Sequence, residues 1–100
     1  MAINSSIPLA FAGRDQIDAA KGVMMVNYTL EKCKGNQTPD NILKKQAKTL
    51  RGQGVTANEI AQGFDEGLIQ VEFEYPGKKK PPKSECDKAQ YLYNELLKFL

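Results

Sequence analysis

Apolar residues recur at spacings of three and four along most of the chain. They resolve into four segments separated by clusters of glycine, proline and short polar residues. The first runs from Gln16 to about Lys34 and carries two apolar stripes: Ile17, Ala20, Met24 and Tyr28, and beside them Ala19, Val23, Val26, Leu30 and Cys33. A helix apolar on two sides belongs in the middle of a bundle, covered by neighbours on both. Asp15, with Asp18 three residues on, reads as its N-cap, and Gly35 as a left-handed terminator.

The second segment opens with Thr38 as cap, Pro39 at the first helical position and Asp40 in the first turn. Leu43, Ala47 and Leu50 share one face, lysines fill the rest, and Gly52 and Gly54 end it. The third start is the sharpest. Thr56-Ala57-Asn58-Glu59 has the form of a capping box, with Val55 and Ile60 placed for a hydrophobic staple. After Gly63 two patterns compete. Ile60, Phe64, Leu68, Val71 and Tyr75 continue a helical stripe, whereas Ile69, Val71, Phe73 and Tyr75 alternate with Gln70, Glu72 and Glu74 as a strand would. A lone strand needs a partner, and only the N-terminal arm is available, so the expectation is helix into the low seventies. Ser84 caps the last segment, whose inner face is Cys86, Ala89, Tyr93, Leu96 and Leu100, widened by Leu92 and Leu97.

Four helices with short connections predict a mostly α protein, a compact bundle. Its two cysteines, Cys33 at the end of the first helix and Cys86 at the start of the fourth, predict a disulfide linking the first and last helices. Closing a loop of that length contributes about 4 kcal/mol in the chain-entropy model.

Residues 1–12, MAINSSIPLAFA, are uncharged apart from the amino terminus and end in Ala10-Phe11-Ala12 ahead of Gly13, the small-x-small form of a signal-peptidase site. They lack a basic n-region and a full apolar core. Two readings follow: a remnant of an export signal, or an N-terminal arm packed on the fold. Residues 13–100 then form the single helical domain. With the paired cysteines, the segment points to a periplasmic or secreted protein. No apolar run approaches the roughly 20 residues a transmembrane helix needs.

Composition narrows the chemistry. Of 100 residues, none is histidine, which removes the commonest general acid–base and the commonest metal ligand. Two distant cysteines do not make a zinc or redox motif, and no nucleophile–base pair is evident, so no catalytic residue, metal or cofactor is expected. The net charge is +2, but it is segregated. Residues 76–83, PGKKKPPK, hold four lysines and no acid, leaving −2 for the rest of the chain. Lys44, Lys45, Lys48 and Arg51 form a second basic cluster, and residues 52–77 hold five acids and no base. The acidic stretch and the basic second helix are expected to face one another across a helix pair.

The proline-rich loop loses little conformational entropy on docking. Lys78, Lys79, Lys80 and Lys83, with neighbouring Phe73 and Tyr75, are therefore the candidate partner-binding residues. The cluster contains no aromatic residue for base stacking and no arginine for base reading, which disfavours nucleic acid. The expected function is protein–protein binding, as in an inhibitor, immunity protein or stress chaperone, and a homodimer is open. The alternative is a cytosolic accessory protein that uses the lysine loop on an anionic surface. Gly63 and Gly67 form a GxxxG spacing, expected to serve helix packing within the chain, with a flat docking patch as the other reading.

Overall fold

The computed structural model describes residues 2–100, with side chains from Gly13 onward, so the packing expected of the residues 1–12 side chains lies outside the described residues. Four helices follow one another: α1 (Ala2–Lys34), α2 (Asp40–Gly52), α3 (Ala57–Glu74) and α4 (Lys83–Leu97). The described residues are mostly helical and contain no strand. The segment from Leu68 to Glu74 is helical, as the helical stripe predicts.

α1 is the axis of the bundle. α3 lies along it most extensively, α4 packs against it next, and α2 touches α1 and α3 more lightly. The closeness of α1 and α3 has a sequence cause. Gly63 and Gly67 are both buried. A Cβ on Gly63 would stand 2.5 Å from the Ile17 carbonyl oxygen and 2.6 Å from Ala20 Cβ. One on Gly67 would stand 2.8 Å from the Lys21 oxygen and 2.9 Å from Met24 Cβ. The glycine pair therefore lets two backbones meet within this chain, which is the packing role of the GxxxG spacing. The inward face of α3 keeps Ile60 and Val71 of the expected stripe, with Phe64 packed on the core, and adds Gly63 and Gly67, while Leu68 is 38% exposed. The glycines draw the contact line to themselves because they allow the shortest interaxial distance.

Ala20, Val23, Leu50, Val55 and Ile60 form the core cluster, with Ala47, Phe64 and Leu96 packed on it. Burial of Val55 and Ile60 on either side of the Thr56 cap fits the staple. The capping box is present in both directions: Glu59 N–H donates to Thr56 Oγ1 (3.2 Å) and Thr56 N–H to Glu59 Oε1 (2.9 Å). A cap of this kind contributes about 1 kcal/mol.

The other three expected caps move. α1 is already helical before Asp15, so the amides that Asp15 would cap have intrahelical partners. Asp18 instead accepts from Arg14 one turn back. α2 and α4 are entered through Pro39 and Pro82 at the N-cap, with ψ of 142° and 157° and no side-chain cap. Proline fixes φ for helix entry and gives up no hydrogen bond there. Thr38 precedes the cap, its N–H donating to Glu31 Oε2 (3.0 Å), and Ser84 sits inside the first turn of α4. Gly35 ends α1 at φ +77°, as its position predicts.

One buried polar contact was not anticipated by the apolar pattern. Asn27 in α1 and Gln46 in α2 are buried and exchange amide hydrogen bonds of 2.7 and 3.2 Å. The pair satisfies both side chains and fixes the register of α2 on α1. A disulfide joins Cys33 to Cys86, with Cα atoms 5.9 Å apart. It staples the C-terminal end of α1 to the N-terminal end of α4.

Candidate functional site

The segment linking α3 to α4, residues 75–82, is short and held at both ends. At its start, Glu72 gathers three donors: Tyr28 Oη (2.7 Å) and Lys32 Nζ (2.8 Å) on one oxygen, and the Gly77 N–H (2.6 Å) on the other. Lys32 also donates to the Gly77 carbonyl at 2.5 Å, and its side chain is only 9% exposed. Lys79 N–H closes a turn onto the Pro76 carbonyl (3.1 Å). At the far end Pro81 is buried and the Cys33–Cys86 bridge ties down the first turn of α4. The lysines between these anchors project from a braced support.

The clamp leaves an electrostatic signature. Lys32, Gly77 and Tyr28, in that order of effect, hold the Glu72 carboxyl down at about 2. Glu72 in turn raises the Lys32 ammonium and, with burial second, the Tyr28 phenol above their ordinary values. A carboxyl lowered on folding stabilises the fold fully above its ordinary value of 4.5 and loses that contribution as pH falls toward 2. Acidification through pH 2 is therefore expected to open the clamp. The Gly77 amide proton, followed by NMR, should shift with a midpoint near 2. In Glu72→Gln that titration should vanish. A midpoint at 4.5 in the parent protein would show that the clamp does not hold in solution.

The expected binding residues do not all present themselves alike. Phe73 is 84% exposed on α3, and Lys78, Lys79 and Lys80 are exposed in the loop, none of them joined in an ion pair among the described residues. Tyr75 is half-buried, and burial, followed by Glu85 and Glu74, raises its phenol. Lys83 lies on α4 and pairs with Asp87 at 2.8 Å. The structure thus leaves Phe73 and Lys78–Lys80 each exposed, turns Tyr75 partly inward and gives Lys83 a local partner.

Ile69, which the sequence places only in the strand-like alternation and not in the helical stripe, is exposed as well. It is 62% exposed, one turn before Phe73. On a helix of about 100° per residue, Gln62, Asp65, Ile69 and Phe73 fall within a band about 80° wide, opposite the Ile60–Gly67–Val71 face that packs on α1. The signal was the i, i+4 apolar pair lying off the packed stripe.

The acids of α3 do not pair with the basic cluster of α2, contrary to expectation. Glu66 takes a forked contact from Arg14 (2.5 and 3.2 Å), and Arg14, then Gln62, lowers its carboxyl to about 2. Glu72 takes Lys32. Both partners come from α1, because the glycine contact brings α1 and α3 closer than α2 and α3. Among the described residues, Lys44, Lys45, Lys48 and Arg51 enter no ion pair.

No group of three or more metal-ligating side chains occurs among the described residues, and no described helix is long and apolar enough to cross a membrane. An apolar recess of about 230 Å³, lined by Val23, Leu50, Leu96 and Phe99 among others, lies between α1, α2 and the end of α4 and includes no charged residue. Comparison with protein-family models, with curated proteins and with solved structures gives no match to this chain.

Proposed function

We propose that this protein acts by binding another protein, through the outward ridge of α3 and the lysine loop that follows it. The observation that supports this reading is the braced loop itself. Three exposed lysines are held by the Glu72–Lys32–Gly77 clamp on one side and by the disulfide on the other, a few residues after an exposed aromatic. Rigid, charged and flanked by apolar surface, the face meets the requirements of an interface that steers and then anchors a partner. The oxidised cysteine pair favours an oxidising compartment, the periplasm or the exterior, over the cytosol. The role fits an inhibitor, an immunity protein or a chaperone, with no chemistry of its own.

The reading is tested by capturing a partner on the oxidised protein and measuring association rates at two ionic strengths. Replacing Lys78, Lys79 and Lys80 by serine is expected to slow association at low salt by about tenfold and to flatten its salt dependence. Helicity should be unchanged, since none of the three enters a described ion pair. A variant that associates as fast as the parent at low salt reduces the loop to a solvated connector.

A further inference from the structure

Neither the ion pairs nor the proposed interface uses the basic cluster of α2. Lys44, Lys45, Lys48 and Arg51 are all exposed, and residues 41–58 contain no acid. At about 100° per residue the four fall within a band about 120° wide, opposite the buried Gln46 and Leu50. They extend over about 10 Å of the helix axis. The acid nearest them in sequence, Asp40, stands at the start of the helix. A second feature lies at the other end, in the turn that continues α4. Phe99 N–H donates to the Leu96 carbonyl (3.1 Å), and the Phe99 carbonyl accepts from Thr49 Oγ1 of α2 (3.3 Å). Thr49 is one turn after Lys45 and next to Lys48, so this bond sets Phe99 against the flank of the cationic band. The Phe99 side chain is 69% exposed. Leu100, 41% exposed, and the uncharged apolar recess adjoin it.

We infer that this face docks on the surface of an anionic lipid bilayer, with the cations of α2 among the headgroup phosphates and Phe99 entering the interface. Charge complementarity carries the first half. Four cations without a paired acid form a positive face, and each Lys or Arg near an anionic bilayer raises partitioning about fivefold. Lysine ammonium groups are point charges on flexible stems, which suits headgroups that shift laterally. Phe99 carries the second half, because reversible membrane association takes an apolar contact in addition to a basic patch. A stacked nucleic-acid base would engage the aromatic ring alone, whereas the adjoining Leu100 and apolar recess suit acyl chains. The α3 ridge and the lysine loop take no part, so the inference goes beyond the proposed function and is independent of it.

Co-sedimentation of the oxidised full chain with vesicles of phosphatidylcholine, alone or mixed with phosphatidylglycerol, reads the association. The expected result is binding to the anionic vesicles at low salt, little to the neutral ones, and release at about 1 M salt, where the Debye length is about 3 Å. Changing Lys44, Lys45 and Lys48 together to Ser should weaken partitioning about 100-fold. The same change at Lys78, Lys79 and Lys80 removes equal charge from another place and should weaken it by less than about fivefold. Both sets are exposed and outside the described ion pairs, so helicity should hold. The chain has no tryptophan, so Phe99→Trp installs a single reporter at an exposed position. Its emission should move to shorter wavelength on anionic vesicles, and that of Phe73→Trp on α3 should not. No binding to anionic vesicles at low salt, equal losses from the two triple variants, an unmoved Phe99→Trp emission, or an equal shift in Phe73→Trp overturns the inference. So does binding of single-stranded DNA or an acidic protein through Lys44, Lys45 and Lys48 without binding of vesicles. The lysine-loop association rates described above are measured separately, so protein binding stands or fails on its own.

Discussion

Reduction of the Cys33–Cys86 bridge is expected to lower the stability of the fold by about 4 kcal/mol. The cysteines are separated by 53 positions, so the bridge removes a large share of the unfolded chain's freedom. Domains of this size are stable by about 5–15 kcal/mol, so the loss is a large fraction of the total. Its distribution should be uneven. Ala89 is the one buried residue of α4, whereas Leu92, Tyr93 and Leu96 are half-buried and Leu97 is exposed. α4 therefore depends on the staple more than α3, which is seated on α1 through its glycines. Urea unfolding with and without reductant measures the total, and an unchanged midpoint would refute the expectation. Amide exchange of the reduced protein should show α4 opening before α3, while the Glu72–Gly77 contact, which needs no disulfide, persists.

The features legible in the sequence are those set by local chemistry. The Thr56–Glu59 box and the Gly35 terminator act within a few residues of themselves, and each stands where its pattern placed it. The cysteine pair was legible because both residues sit at helix ends that a short bundle brings together. Asp15 was misread because a capping residue looks the same inside a helix, where Asp18 and Arg14 give the stretch another use. Of the stripe on α3 only Leu68 stands outside, because hydrophobic spacing ranks leucine above glycine, yet at the shortest helix–helix distance the missing side chain decides the contact. Partner choice among charges was not legible at all. That Glu66 meets Arg14 and Glu72 meets Lys32 follows from the relative positions of α1 and α3, which the order of charges along the chain does not encode.

The same geometry explains why the binding face is where it is. A helix of 18 residues that commits one side to glycine contacts with α1 must turn the opposite side outward. Ile69 and Phe73 lie on that side, so their exposure is a consequence of the register set by Gly63 and Gly67. The loop lysines follow the end of the same helix, where Glu72 and Lys32 hold Gly77.

Replacing Gly63 by alanine is therefore expected to cost about 2 kcal/mol, against the intrinsic preference of helices for alanine. Alanine in place of a helical glycine would by itself stabilise by about 1 kcal/mol. Here the added methyl would lie 2.5 Å from the Ile17 carbonyl oxygen, 2.6 Å from Ala20 Cβ and 2.8 Å from the Lys21 nitrogen. Two of these atoms belong to the backbone of α1 and cannot swing aside as a side-chain tip would. The helices must separate, which loosens Ala20 and Val71, both fully buried, and overpacking of that kind costs up to about 3 kcal/mol. Gly22 supplies the control, since it lies in α1 with nothing within 4 Å of its would-be Cβ. Gly22→Ala should raise the urea midpoint and Gly63→Ala should lower it, although the chemical change is identical. Opposite signs for the two variants would locate the effect in the α1–α3 contact. A stabilising Gly63→Ala would mean that the two helices do not approach as closely as the fold requires.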